Sequence, residues 1–422
     1  MEKTQQLGTG RIAAFSLPLL FFQAIGVAWR VYLPAFMVGA IGLSLGAAGA
    51  VIMIVRILDA AVDPLVGWIG DRSGRRKPWM IAGVPLVAIG ALSLCLAPPG
   101  SGFLVMLAAS LALNLGYTLI ANPYGAWGLE LGRDTGERTA LAGARIWFAS
   151  AGMILVLLSM GVLERRFGFD RTALVAVLGV MIAVITPLTV GLVLALFAER
   201  PAPRKSSGIG VGALLGELMR KPQLVAALGL YAAAGASDAA GMASFLFFVE
   251  NVLGLAGWGA ILMLAPTGVL LGALPAWTWL ARRIGRRRTM MTACVMDILI
   301  APLVLLVPAQ NLLLLLPLLV LRSLPSGVDY MLLMSLFADE AAQDFNAGQR
   351  RAGVYQGLTH VTLKLAMGVG AAGALWLIGL TDFTAGAPPS MSAEWAIRLA
   401  HAAPPALSAA IGMIVWGRGL VR

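Results

Sequence analysis

The sequence predicts an all-α integral membrane protein with twelve transmembrane helices arranged as two pseudo-symmetric six-helix bundles. The first observation behind this prediction is composition, because 59% of the 422 residues are hydrophobic and only 12% are charged, whereas soluble domains carry about 25% charged residues. The second is that apolar stretches of membrane-spanning length, about 20 residues each, recur along the whole chain. The third is a charged motif that recurs after half the chain length.

Twelve apolar stretches are predicted to cross the bilayer, and several are long enough that tilting or kinking must absorb the excess. They lie near residues 12–39, 44–70, 79–98, 102–131, 141–163, 173–197, 223–250, 258–281, 290–308, 311–337, 353–380 and 395–416. Four prolines inside them are natural kink points, because proline removes a backbone donor and clashes with the preceding turn. They are Pro64, Pro123, Pro266 and Pro325. The first stretch has no cleavage-site flank and exceeds the length of a signal-peptide core, so we expect it to be retained.

An internal repeat divides the chain. Gly74-Arg75-Arg76-Lys77 follows the second span, and Gly285-Arg286-Arg287-Arg288 follows the eighth, 211 residues later. The repeat predicts an N-terminal bundle at 1–198 and a C-terminal bundle at 223–422, a known arrangement of membrane transporters. Residues 199–222 are predicted to form a cytoplasmic linker with an amphipathic segment.

Basic residues are unequally divided between alternate loops. One side collects the clusters at 72–77, 282–288 and 350–351, whereas the opposite loops hold chiefly Arg165, Arg166 and Arg171. The positive-inside rule therefore predicts that both termini lie in the cytoplasm of a multi-pass protein of the cell (inner) membrane. Because the basic residues are dispersed over short loops, the net charge of +11 indicates topology, and no nucleic-acid partner is expected.

The residue types needed for enzyme chemistry are scarce. Cys95 and Cys294 both fall in apolar spans without metal-type spacing, so we expect them to be inert core residues. The chain has two histidines and no nucleophile elbow or phosphate-binding glycine loop. The sequence thus predicts no catalytic residue, no enzyme and no cofactor.

Two aspartates one helical turn apart, Asp59 and Asp63, interrupt the second span. Ionisable groups in a membrane helix are costly and usually persist where they pair, line a water-filled cavity or mark an ion path. At positions i and i+4 they lie about 5 to 6 Å apart on one helix face, so both carboxylates can converge on one guest. We expect the pair to hold a proton or a sodium ion, titrating as a coupled unit, with Arg56 able to neutralise the empty site.

The residues around the pair resemble a known family. Gly67-x-x-Gly70-Asp71-Arg72-x-Gly74-Arg75-Arg76-Lys77 resembles the loop signature of the major facilitator superfamily. Asp59-Ala-Ala-Val-Asp63-Pro64-x-x-Gly67 narrows the resemblance to the glycoside-pentoside-hexuronide cation symporters. The segments 122–139 and 338–364 also resemble this family, so the resemblance covers both halves of the chain.

The resemblance implies the major facilitator fold and cation-coupled transport of a small organic solute by alternating access. It also implies that the Thr118 hydroxyl assists the cation and that Lys364 is the family's buried lysine. Val62 stands where the family carries an asparagine, and this loss of an oxygen ligand favours proton over sodium coupling. An alternative is that Asp59 and Asp63 form a purely structural network with Arg56 and Lys364.

The solute site is predicted from the same resemblance. Its sugar-binding acids are replaced here by Gln23 and Ala121, so a galactoside is not expected, whereas Arg145 matches a substrate-site arginine. Other predicted solute contacts are Trp29, Arg30, Tyr124 and Trp127. Because guanidinium groups suit carboxylates and phosphates, we expect a uronide or another organic acid. Arg30 could instead snorkel outward, and Arg322 could pair with Asp329, seven residues on. A lysolipid-type amphiphile transporter and a membrane scaffold remain alternatives.

Loop charges are predicted to form ion pairs that gate the cytoplasmic side. The gate and motif residues are Gly67, Asp71, Arg72, Gly74, Arg75, Arg76, Glu130, Asp134, Arg138, Asp339 and Arg350. Asp238 and Asp297 are interpreted as either cavity-lining residues or interhelical hydrogen-bond partners. The expected partners are a small organic solute and the lipid bilayer, and the protein is expected to function as a monomer.

Overall fold

The chain is helical wherever its regular structure is described. The computed structural model describes residues 8–73, 75–131, 135–199, 216, 220–346, 352–384 and 387–421. Within these residues, twelve helices are long and apolar enough to cross a membrane. The predicted all-α class and the predicted number of spans are therefore confirmed.

The first six helices are joined by short connections. They are α1 (Thr9–Gly39), α2 (Leu45–Ser73), α3 (Lys77–Cys95), α4 (Phe103–Leu131), α5 (Thr135–Phe167) and α6 (Arg171–Leu196). A π-helical turn at Ala28–Tyr32 interrupts α1. The segment after it, Leu33–Gly39, is buried almost throughout.

The remaining six helices show more irregular backbone. They are α7 (Pro222–Val252), α8 (Gly259–Ile284), α9 (Arg286–Leu306), α10 (Leu312–Ser323 and Val328–Asn346), α11 (Ala352–Gly379) and α12 (Met391–Gly417). α7 ends in a π-helical turn at Phe247–Val252, and α9 ends in a 3₁₀ turn at Ala301–Leu306.

The break in α10 contains Pro325, one of the predicted kink points. Gly327 follows with a φ of 81°, a left-handed conformation that glycine adopts without steric cost. The indole Nε1 of Trp277 on α8 donates to the carbonyl oxygen of Leu324 at 2.6 Å. This hydrogen bond satisfies a backbone acceptor near the break, which matters because lipid offers it no partner.

Two compact units make up the chain. One consists of Met1–Leu43 and Ala61–Ser206, and the other of Ser44–Ala60 and Ser207–Arg422. The predicted boundaries at 1–198, 199–222 and 223–422 stay predictions, since most of the expected linker and its amphipathic segment lie outside the described residues.

Glycines allow close helix contacts in the first unit, where α1 packs against α5 and α6, and α3 against α4. A Cβ atom at Gly90 on α3 would lie 2.3 Å from the backbone nitrogen of Leu113 on α4. At Gly152 on α5 it would lie 2.0 Å from the carbonyl oxygen of Leu20 on α1. Small residues at such contacts let membrane helices approach closely.

The second unit is built around α7, which packs against α11 and α12. A Cβ atom at Gly370 on α11 would lie only 1.9 Å from the carbonyl oxygen of Ala236 on α7. Arg398 on α12 donates to the carbonyl oxygens of Leu305 at 2.9 Å and Val307 at 3.0 Å. This arginine therefore satisfies backbone acceptors at the 3₁₀ end of α9.

Candidate functional site

Asp63, on the part of α2 that belongs to the first unit, accepts two hydrogen bonds from α4. Thr118 Oγ1 and Asn122 Nδ2 both donate to its Oδ1 atom at 3.2 Å. Because the two donors are four residues apart, one face of α4 presents both of them. Thr118 is 1% exposed, so its hydroxyl reaches the carboxylate from inside the unit.

Asp59, on the part of α2 that belongs to the second unit, lies against two cations. Lys364 Nζ is 2.9 Å from its Oδ2 atom, and Arg56 Nη1 is 3.5 Å from the same oxygen. The Asp59 side chain is 6% exposed. Gly368, one turn after Lys364 on α11, leaves room for Arg56, since a Cβ atom there would lie 2.9 Å from Arg56 Cβ.

The two carboxylates of α2 therefore have different surroundings. The structure brings Asp59 together with Lys364 and Arg56, and Asp63 together with Thr118. Asn122 begins the segment 122–139 that resembles the family, but it was not predicted as a site residue. Its position one turn after Thr118 was the signal that could have identified it.

The predicted aromatic solute contacts lie in a packed cluster of the first unit. Tyr124 is 1% exposed, and its hydroxyl donates to the carbonyl oxygen of Phe15 at 2.5 Å. The Phe15 ring stacks on Tyr124 at 4.8 Å between centroids and meets Trp127 edge-on at 6.0 Å. The Arg145 guanidinium lies over the Tyr124 ring at 5.3 Å, a favourable cation–π arrangement.

The other predicted solute contacts of α1 lie near its π-helical turn. Trp29 and Arg30 are both part of that turn, and Arg30 Nε donates to the carbonyl oxygen of Gly26 at 3.3 Å. Gln23 is half-buried, and its Oε1 atom lies 3.8 Å from the position of a Cβ atom on Gly26. Ala121 on α4 is half-buried too.

The structure gives Arg322 a partner that was not predicted. Its guanidinium donates to the ring of His401 at 2.6 Å and to the carbonyl oxygen of the same residue at 3.1 Å. Asp238 accepts a hydrogen bond from the Tyr330 hydroxyl at 2.8 Å. Asp238, Asp297 and Arg322 also line one cavity inside the second unit, so Asp238 has both roles that the sequence left open.

The predicted gate residues are described only in part. Arg286 Nη1 lies 2.5 Å from Asp339 Oδ2 in the second unit. In the first unit, the backbone N–H of Arg76 donates to the Glu199 carboxylate, and Lys77 Nζ donates to the carbonyl oxygen of Leu194 at 2.6 Å. Arg75 is exposed between α2 and α3. Gly74, Asp134 and Arg350 lie outside the described residues. Only the helical backbone is described for Gly67, Asp71, Arg72, Glu130 and Arg138.

The chain is similar to transport proteins along nearly its whole length. The model of the family described as MFS/sugar transport protein matches residues 14–418. The glucuronide carrier protein homolog of Escherichia coli (strain K12) is 22% identical over 392 residues, which cover 90% of this chain and 86% of that relative.

Two other relatives match over shorter segments. The uncharacterized symporter sll1374 of Synechocystis sp. is 34% identical over 176 residues, covering 37% of this chain and 31% of that relative. The inner membrane symporter YicJ of Escherichia coli is 29% identical over 151 residues, covering 34% and 33%. These two matches thus span about a third of the relatives' lengths.

Solved structures share the fold at low identity. The nucleoside transporter NupG has a TM-score of 0.72 and 15% identity, covering 96% of this chain and 98% of that chain. A bacterial homologue of the human drug peptide transporters PepT1 and PepT2 has a TM-score of 0.68 and 15% identity, covering 97% and 98%. At this identity the similarity establishes the fold alone.

Proposed function

Because this chain belongs to the MFS/sugar transport protein family, and within it to the glycoside-pentoside-hexuronide cation symporters, we propose that it couples a cation gradient to the movement of a sugar-like solute. Its twelve membrane-length helices make it a multi-pass membrane protein. Family membership also confirms the prediction that it is a transport protein and not an enzyme.

The aspartate pair of α2 carries the coupling proposal. Asp59 and Asp63 lie four residues apart on one continuous helix, and the apolar span of this helix ends at Asp63. Lys364 and Arg56 neutralise Asp59 in this structure, and a proton or a sodium ion from the membrane gradient can take their place at the pair. Coupling then follows, because a cation that binds one conformation better than another shifts the balance between them.

The neighbours of Asp63 suit a small cation. The hydroxyl of Thr118 is an oxygen ligand in addition to a donor, and the amide of Asn122 can offer its oxygen in place of its nitrogen. Asn122 thereby supplies a side-chain oxygen that Val62 cannot. The proposal therefore retains both a proton and a sodium ion as coupling ions.

Lys364 has the role of an internal substitute for the cation. Its ammonium lies 2.9 Å from Asp59, so it neutralises this carboxylate in the absence of an external ion. A cation that binds at the pair competes with Lys364, and this competition links ion occupancy to the contact between α11 and the first part of α2.

The solute is proposed to bind the polar and aromatic side chains of α1, α4 and α5. The predicted contacts are Gln23, Trp29, Arg30, Ala121, Tyr124, Trp127 and Arg145. Two of them are arginines and none is an acid, so a solute with a carboxylate is favoured over a neutral galactoside. A glucuronide carrier homolog among the relatives supports a uronide as the first solute to test.

The membrane arrangement is proposed from charge. The loop bias places both termini in the cytoplasm, and the cell (inner) membrane is the proposed location, which a relative named as an inner membrane symporter supports. A single chain contains both the ion pair between Asp59 and Lys364 and the hydrogen bond between Thr118 and Asp63. We therefore propose that the monomer is the functional unit.

Transport by purified protein in liposomes tests this function. Unaltered protein should accumulate a labelled glucuronide when a proton or sodium gradient is imposed, and neutral galactosides should accumulate poorly. Asp59→Asn and Asp63→Asn should each abolish accumulation. Asp170→Asn is a matched control, because Asp170 caps the start of α6 outside the apolar span and asparagine caps equally well.

Two results would contradict the proposal. Accumulation that survives both substitutions on α2 would show that the pair does not couple transport. Accumulation of neutral sugars alone would show that the solute is not an anion. Imposing each ion gradient separately identifies the coupling ion.

A further inference from the structure

The second unit contains a charged cavity that the proposed coupling pair does not use. Its volume is about 180 Å³, enough for several water molecules at about 30 Å³ each. Its wall includes Asp238 of α7, Asp297 of α9, Arg322 and Asp329 of α10, and His401 of α12. These five side chains come from four helices and line one cavity.

His401 contributes no charge to this cavity. Arg322 Nη1 lies 2.6 Å from His401 Nε2, and a guanidinium can only donate, so Nε2 is the accepting nitrogen. His401 Nδ1 therefore carries the proton, which it directs at the carbonyl oxygen of Gly241, 3.1 Å away. Stacking on Phe248, with ring centroids 4.9 Å apart, fixes the ring plane. The imidazole is neutral and holds Arg322 in place.

The three carboxylates outnumber the single guanidinium. Tyr330 donates to Asp238 at 2.8 Å. Across the described part of the chain, the carboxylates of Asp297 and Asp329 have no hydrogen-bond or ion-pair partner, although both line the cavity. The charges of all three aspartates act on one another. If every group were ionised, two negative charges would remain unbalanced inside a membrane-spanning bundle.

Such an imbalance is costly at this depth, because burial and like-charge repulsion both favour the neutral form of a carboxyl group. We propose that the cavity is a proton-binding site of the second unit, where Asp297 and Asp329 carry the bound protons. This site is separate from Asp59 and Asp63, neither of which lines the cavity.

A proton fits the surroundings better than a larger cation. The titratable and charged groups that face the two carboxyls are Asp238 on α7, Cys294 on α9, Arg322 and Tyr330 on α10 and His401 on α12. α8 adds the apolar Met263 and Pro266. A metal ion would need several oxygen ligands at fixed distances and would be repelled by the anchored guanidinium. A proton binds each carboxyl without a coordination shell.

Infrared spectroscopy of the purified full-length chain tests the site directly. The Asp59→Asn/Asp63→Asn form is the parent, so that the result does not depend on the proposed coupling pair. At neutral pH it should show the C=O stretch of protonated carboxyl groups. Asp297→Asn and Asp329→Asn should each lower this band in difference spectra, and the two together should lower it further. Asp170→Asn should leave it unchanged.

Two outcomes would overturn the proposal. One is a difference spectrum in which neither cavity substitution changes the band. The other concerns the parent alone. If its band disappears when sodium chloride replaces choline chloride at fixed pH, a metal ion and not a proton occupies the cavity. Asp329→Glu is the control for folding. It changes the same position but keeps an acid in the cavity, so the folded protein should retain the band.

Discussion

The ion pair between Lys364 and Asp59 gives a quantitative prediction for Lys364→Met. The Asp59 side chain is 6% exposed, and the Lys364 ammonium lies 2.9 Å from it. Removing one partner of a buried ion pair costs about 3–5 kcal/mol, because the other charge stays buried. Arg56 remains 3.5 Å from the same oxygen and Lys364 is 23% exposed. We therefore expect the lower end, about 3 kcal/mol.

A double-mutant cycle measures this pair. Unfolding free energies in detergent are compared for Lys364→Met, Asp59→Asn and the double variant, which removes both charges. Since the groups are in contact, the double variant should be more stable than additive costs imply, by about 2 kcal/mol. Lys221→Met is the matched control, because Lys221 is 37% exposed and pairs with Glu340 at 3.1 Å. It should cost no more than about 1 kcal/mol.

Strict additivity would refute this reasoning. If the costs of Lys364→Met and Asp59→Asn simply sum in the double variant, the short distance does not represent an energetic interaction. Lys364 could then not act as the internal substitute for a coupling cation. Equal costs for Lys364→Met and the Lys221→Met control would lead to the same conclusion.

Three further predictions concern single side chains. Thr118→Val removes the hydroxyl oxygen that is proposed as a ligand of the coupling cation; a loss of about 1.4 kcal/mol in binding free energy raises the ion concentration for half-maximal uptake about tenfold, and an unchanged concentration would count against Thr118 as a ligand. Gly370→Ala forces a methyl group against a carbonyl oxygen of α7 and should cost about 1–3 kcal/mol. Gly373→Ala is its control and should not destabilise the protein, because nothing lies within 4 Å of the Cβ position. Equal thermal stability of the two variants would contradict the steric explanation. Arg398→Met loses two charge-assisted hydrogen bonds to backbone carbonyls and the ion pair with Glu394, and it should cost about 3 kcal/mol, measured by chemical unfolding, whereas a loss near zero would mean that water replaces these contacts.

The membrane architecture was predictable because it depends on local composition. An apolar stretch of sufficient length has few alternatives to a spanning helix, so all twelve spans could be identified from the sequence alone. The spacing of Asp59 and Asp63 was equally local, and α2 is continuous through both.

Contacts that depend on tertiary structure were harder to predict. Pairing of Asp329 with Arg322 was one alternative that the sequence left open, because seven residues separate them near one helix face. The break around Pro325 removes that periodicity, since the two residues lie on separate helical segments of α10. His401, which holds Arg322 instead, is 79 residues away along the chain. No spacing rule connects positions that meet only when α10 and α12 pack together.

The π-helical turn of α1 has a consequence for the evolution of this helix. A π turn holds one more residue than an α turn, so a single-residue insertion into a regular helix creates it and a single deletion removes it. Deletion of one residue within Ala28–Tyr32 would close the turn to α geometry and leave all later residues on their present faces. Phe36 and Met37, both 0% exposed, would then keep their places in the core. A homologue one residue shorter at this point therefore needs no compensating substitutions along the end of α1, whereas a deletion in the regular helix after the turn would rotate the later residues by about 100°.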